Sequence, residues 1–235
     1  DKNIQSIISK IKRPIVTFGL TSINNYHATN ILQNKSGMTF TLNSPSGEIL
    51  IKTKLHGEHN ILNILVSFAV SEYLELPFKK IVNAITKFEG ISRRFEVYDN
   101  FNSKFGPLTL INDYGHHPTE IYYTLKTIKK IWEGKKICMI FQPHRYSRTK
   151  DCLKEFIKVF KDVDKLIITE TYSGGESKTK YTSNYLCKKL ISENIKCYYV
   201  KNLNSIPNKI KSIFDGSDIF VIQGAGNISQ LIKIL

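Results

Sequence analysis

The sequence predicts an α/β chain in two parts: a strand-and-helix segment over residues 1–90, then a Rossmann-like, mostly parallel sheet over residues 91–235. Two observations carry this. The hydrophobic period changes near residue 90, and beyond it continuous apolar runs alternate regularly with amphipathic helical stretches, the signature of parallel strands covered on both faces. A third concerns position. The polar stretches "INDYGHH", "FQPHRYSR", "TETYSGGE" and "QGAGN" each follow an apolar run, and open α/β sheets bind ligands beyond the carboxyl ends of their strands.

In the first part, residues 14–53 read as antiparallel strands. "PIVTFG" and "HATNI" are short candidates, and "MTFTL" and "GEILIKT" flank the turn signal "NSPSG", a hairpin. "HNILNILVSFAVSEYL" follows as an apolar helix, and "PFKKIVNAITKF" as a second, with Pro77 suited to its first turn. "EGISRRFEVY" reads as a linker. In the second part, strand "LTLIND" leads to a helix opening at Pro118 with Ile121, Leu125, Ile128 and Ile131 along one stripe, and His117 in the capping position. "KKICMIF" precedes a helix carrying Leu153, Phe156, Ile157 and Phe160. "KLIITE" precedes "NYLCKKLI", "IKCYYV" precedes "IPNKIKSIF", and "DIFVIQ" meets "GAGNISQLIKIL". The strands starting near residues 108, 137, 166 and 219 are expected to run parallel.

Composition narrows the function. Cys138, Cys152, Cys187 and Cys197 show no CxxC spacing, which points to free thiols in a reducing cytoplasm rather than a metal site. No apolar run approaches the roughly 18 residues of a membrane span. The net charge of +14 is spread over the chain without a nucleic-acid-binding signature, so neither nucleic acid nor membrane is expected as a partner. The arginines say more: five against 29 lysines, and four of the five fall in "SRRF" and "HRYSR". The guanidinium fork binds phosphate or carboxylate bidentately, where lysine is a point charge. Arg145 and Arg148, three apart, would share a face in a helical first turn and clamp an anion. Asn60 and Asn63 are placed likewise at a helix start. Asp113, Tyr114, His116 and His117 crowd one loop, and adjacent histidines rarely both face one ion.

"HNILN", "SRRFE", "NDYGHHPTE", "FQPHRYSRT" and "QGAGNI", in this order, resemble the Mur ligase family over essentially the whole chain. The resemblance implies that residues 1–90 are the C-terminal part of a central ATPase domain and residues 91–235 the family's C-terminal domain. It implies ATP binding by His59, Asn60, Asn63 and Asp113, the last on the ribose, with Arg94 reaching the transferred phosphate from the domain junction. It places Tyr114, His116, His144, Arg145 and Arg148 around an incoming amino acid, with Arg94 and His116 as catalytic residues. Within the family the likeness points to the branch joining L-alanine to UDP-N-acetylmuramate with ATP and Mg2+. A related ligase with another amino acid or peptide, or a basic α/β module that binds nucleotide or nucleic acid without chemistry, stays open. No G-x-x-x-x-G-K-[ST] loop is present. The chain is therefore expected to be the C-terminal portion of a ligase, inactive alone, with the magnesium ligands upstream of it.

Overall fold

The computed structural model describes residues 2–214, 216 and 218–235, and it divides into two compact units, Asp1–Glu89 and Gly90–Leu235. The first opens with a short helix, α1 (Lys2–Ile7). A four-stranded sheet follows in the order β1 (Phe18–Gly19), β2 (Tyr26–Asn34), β3 (Gly37–Ser44), β4 (Gly47–Thr53). The β3–β4 hairpin turns at Ser44 and Gly47, where the sequence carries its turn signal. One expectation needs correcting: β1 pairs parallel to β2, and only two residues of "PIVTFG" are strand. Helices α2 (Glu58–Tyr73) and α3 (Phe78–Lys87) cover one face, where Ile61, Leu65 and Phe68 of α2 and Ile81 of α3 join Phe40, Leu42 and Ile51 in a common core. Such burial is worth about 1.5–3 kcal/mol per large apolar side chain.

The second unit is a six-stranded sheet of β5 (Glu96–Ser103), β6 (Gly106–Asp113), β7 (Lys136–Phe141), β8 (Lys165–Ile168), β9 (Cys197–Tyr199) and β10 (Asp218–Gln223), in the order β5-β6-β10-β7-β8-β9. All neighbours from β6 to β9 pair parallel. Strand β5 is antiparallel to β6, which corrects the reading of "FEVY" as linker. Val97 packs on one face and Tyr98 and Phe101 on the other, while Asp99, Asn100 and Asn102 are exposed, so this edge strand leaves a weak apolar signal. Helices α4 (Pro118–Ile131), α6 (Leu153–Phe160) and α7 (Ser183–Ser192) cover one face over Ile111, Met139, Phe141, Leu166 and Val221. Helix α8 (Ile206–Ile213) and the 3-10 segment Asn227–Lys233 cover the other over Leu110, Ile140, Ile167 and Phe220. The expected helix after β7 is broken at Cys152 into α5 (Tyr146–Asp151) and α6. Because β10 lies between β6 and β7, the segments after β6, β7, β8 and β10 gather at one edge: Asp113 pairs with Gln223, and Gln223 with Phe141.

Candidate active site

The loop after β6 is built around two carboxylates. Asp113, only 6% exposed, accepts from Gly115 N at 2.5 Å and from Phe95 N at 3.1 Å, with Thr124 Oγ1 3.4 Å away. Burial raises its pKa, against those two N–H donors, which favour the anion. Glu120 closes the turn. Its Oε2 accepts from His116 N at 2.8 Å and His117 N at 2.9 Å, while His117 Nδ1 accepts from Thr119 N at 3.2 Å. This is a capping box with Pro118 as first helical residue. Burial acts to raise the Glu120 carboxyl, and the two N–H donors outweigh it, so the net shift is downward. His117 is thus spent on the helix.

His116 and His144 come from different strand ends, and their rings stand 5.0 Å apart. Around them lie Tyr114, edge-on to His116 at 5.6 Å, and Tyr172, stacked on His144 at 5.5 Å with an interplanar angle of 12°. The Arg93 and Arg94 guanidinium carbons sit 4.9 and 5.2 Å from the Tyr114 ring centroid. Arg94 Nη1 is also 3.6 Å from Glu120 Oε1. Partners assign the protons. His116 Nδ1 lies 3.2 Å from Tyr114 O, and a carbonyl can only accept, so Nδ1 carries the hydrogen and Nε2 keeps its lone pair. His144 Nδ1 lies 3.2 Å from Arg148 Nη1, which can only donate, so here Nδ1 is the acceptor. Burial depresses both pKa values. Arg148 and Arg94 add to it at His116, and His116, Arg148 and Arg145 at His144. The Tyr114 carbonyl and Glu120 oppose this at His116, and the net shift at both imidazoles favours the neutral form.

Arg145 and Arg148 flank this pair, though not as two residues of one helical turn. Arg148 belongs to α5, whereas Arg145 is its N-cap at φ 70°, ψ 139°, outside helical space. Such a backbone costs about 1–3 kcal/mol and persists where neighbours dictate it. Here Arg145 N donates to Tyr172 O at 2.9 Å, which pulls the residue toward the next loop. Arg93, also at positive φ, donates through Nη2 to Gly224 O at 2.7 Å and Gly226 O at 3.1 Å, tying "GAGN" to the same edge.

His59, Asn60 and Asn63 belong to the first unit, at the start of α2. Asn60 Nδ2 donates to His56 O at 2.8 Å and Asn63 Nδ2 to Asn60 Oδ1 at 3.2 Å, which lines the two amides along one face. Sequence reasoning missed Glu120, Tyr172 and Glu176 as site residues. Glu120 was legible as the third residue after a capping position, and Tyr172 only from its place at a strand end. Among the described residues no group of three or more His, Cys, Asp or Glu could hold a metal ion.

Residues 93–226 match the Mur ligase glutamate ligase domain, and residues 1–71 the Mur ligase middle domain. The chain belongs to the Mur ligase family. Among curated relatives, this Mur ligase chain is 36% identical to the UDP-N-acetylmuramate–L-alanine ligase of Wigglesworthia glossinidia brevipalpis, over 100% of this chain and 51% of that protein. It is 33% identical to the enzyme of the same name from Dechloromonas aromatica, over 98% and 51%. The chain thus spans about half the length of the curated relatives it matches. Among solved structures, the UDP-N-acetylmuramate–alanine ligase of Thermotoga maritima superposes with a TM-score of 0.72 at 26% identity, over 93% of this chain and 46% of that one. A murein peptide ligase from Psychrobacter arcticus shares the fold at 20% identity and a TM-score of 0.68, over 98% and 48%.

Proposed function

We propose that this chain serves an ATP-dependent ligase that joins L-alanine to UDP-N-acetylmuramate in the cytoplasmic synthesis of peptidoglycan precursors. The names of the two curated relatives support the substrates. The observation that carries the chemistry is the pair of histidines whose Nδ1 atoms meet opposite partners, a carbonyl at His116 and a guanidinium at His144, beside two arginines.

In this reading the muramyl carboxylate attacks the γ-phosphorus of ATP, releasing ADP and leaving an acyl phosphate. Arg145 and Arg148 hold the carboxylate of L-alanine, with His144 orienting Arg148 and Tyr114 bounding the site. The lone pair on His116 Nε2 takes a proton from the alanine nitrogen, which then attacks the acyl carbon. The tetrahedral intermediate collapses and phosphate leaves. Arg94 meets the phosphoryl oxygens, where an arginine offsets developing charge. His59, Asn60 and Asn63 serve ATP. Asp113 accepts a ribose hydroxyl through the lone pairs its backbone partners leave over, since a carboxylate offers about four. Mg2+ would screen the phosphates, from ligands outside this chain.

The test uses a protein spanning the full length of the relatives, supplied with ATP and UDP-N-acetylmuramate, and follows phosphate release as amino acids are varied. L-alanine should drive turnover. Turnover driven by another amino acid or a peptide alone would move the assignment within the family, and nucleotide binding without amino-acid-dependent release would reduce the protein to a binding module.

A further inference from the structure

Residues 169–176, after β8, belong to neither the ATP-side nor the amino-acid set, yet they touch Arg145 directly and His144, the partner of Arg148. We infer that Tyr172 is a positioning residue for the amino-acid carboxylate: its ring holds His144 so that Nδ1 faces Arg148, and its main chain holds Arg145 in the conformation the clamp needs. This rests on the reading above and deepens it.

Four observations converge. The Tyr172 ring lies nearly parallel to His144, and its backbone is laced to the β7 end by Tyr172 N to Pro143 O and Arg145 N to Tyr172 O, both 2.9 Å. The second of these bonds fixes the strained Arg145. A side chain at Gly226 would put its Cβ 2.7 Å from the Tyr172 ring, so the ring is fitted between an imidazole and a bare main chain. Gly174, at φ 59°, lets the loop approach to where a Cβ would sit 3.2 Å from Arg145 Cγ and His144 Cε1. The loop is itself anchored at both ends. Ser183 N donates to Thr171 Oγ1 at 2.9 Å, and Glu176 accepts from Ser147 N at 3.0 Å and from Ser147 Oγ at the start of α5. Among the described residues Arg148 Nη1 donates to His144, at Nδ1 and, at 3.4 Å, at its carbonyl. An imidazole free to turn would therefore leave the guanidinium only its 3.4 Å contact with the backbone carbonyl. The stack uses the ring and not the hydroxyl.

The experiment compares Tyr172→Phe with Tyr172→Leu, which keeps the apolar volume against Gly226 without a ring plane, in the protein spanning the relatives' full length. The Leu variant should raise KM for L-alanine by about tenfold or more, leaving kcat within about threefold and KM for ATP unchanged, whereas Phe should match the parent. Imidazole nitrogen NMR of the same proteins gives a readout free of catalysis. His144 Nδ1 should keep its unprotonated signature in the parent and the Phe variant, and move toward a tautomer average in the Leu variant. An unchanged KM together with an unchanged His144 signature in Tyr172→Leu overturns the inference. If the parent protein shows no L-alanine dependence, the functional reading fails, and the nitrogen signature alone decides whether Tyr172 positions His144.

Discussion

His116 and His144 face each other at 5.0 Å in opposite tautomers, the first donating from Nδ1 to Tyr114 O and the second accepting at Nδ1 from Arg148. Two rings of the same type are thereby given different work, one free to take a proton at Nε2 and one committed to an arginine. His116→Ala should lower kcat by about 10²–10⁴-fold, the usual span for a lost general base, with KM for ATP unaffected. Single-turnover kinetics at saturating ATP check it, and equal losses in His116→Ala and His144→Ala would mean the two rings share one role.

Arg148→Ala should act on binding instead. Removing one partner of a desolvated charged contact costs about 2–5 kcal/mol, read as a raised KM for L-alanine with little change for ATP. Arg148→Lys keeps the charge but loses the fork, and should recover only part of the loss. Varying each substrate in turn separates the two.

The pH dependence follows from the depressed histidines. An ordinary imidazole titrates at about 6.5, and burial with nearby arginines pushes His116 lower, so the acid limb of kcat/KM for L-alanine should fall below that value. The same shift acts on stability. Between the folded pKa values of His116 and His144 and about 6.5, the unfolded chain binds more protons, so these two groups contribute stability above 6.5 that is lost as pH falls through their folded values. Urea titrations at a series of pH values measure it. An acid limb above 6.5 would contradict the assignment of His116 as base.

Asp113→Asn tests the frame of the loop. One of its two acceptor oxygens becomes an amide donor facing Gly115 N or Phe95 N, and a buried donor left unmade costs about 1–3 kcal/mol. A midpoint shift in denaturant of that size is expected at pH 7. Because burial raises the Asp113 pKa, its ionisation removes stability as pH rises through the folded value, so the gap between parent and variant should widen on mild acidification.

Gly226→Ala addresses the opposite wall. The new Cβ would lie 2.4 Å from Gln142 Oε1, the acceptor for Ile228 N, as well as against Tyr172. Overpacking of this kind costs about 1–3 kcal/mol, and here it should also raise KM for L-alanine by displacing the ring. A thermal melt with parallel kinetics tells the two effects apart.

Local rules made much of this protein legible in its sequence. The parallel strands announce themselves because both their faces are buried, so β7, β8 and β10 carry unbroken apolar runs and β6 one interrupted at Thr109. The capping role of His117 follows from a proline and a glutamate at fixed offsets. Strand β5 was hidden because an edge strand needs few residues against the cores, here Val97, Tyr98 and Phe101, and the parallel pairing of β1 because register is set by a partner strand. The site divides the same way. That Asp113, His116, Arg145 and Arg148 are candidates for chemistry could be read from residue type and position. That His144 belongs to Arg148 and Tyr172 rather than to His116 as a second base could not, since it depends on β10 lying between β6 and β7 and on loops some thirty residues apart along the chain meeting at one sheet edge. Hydrophobic period and capping are set by neighbours in sequence, whereas tautomer, ring plane and strained backbone are set by neighbours in space, and only the folded sheet supplies those.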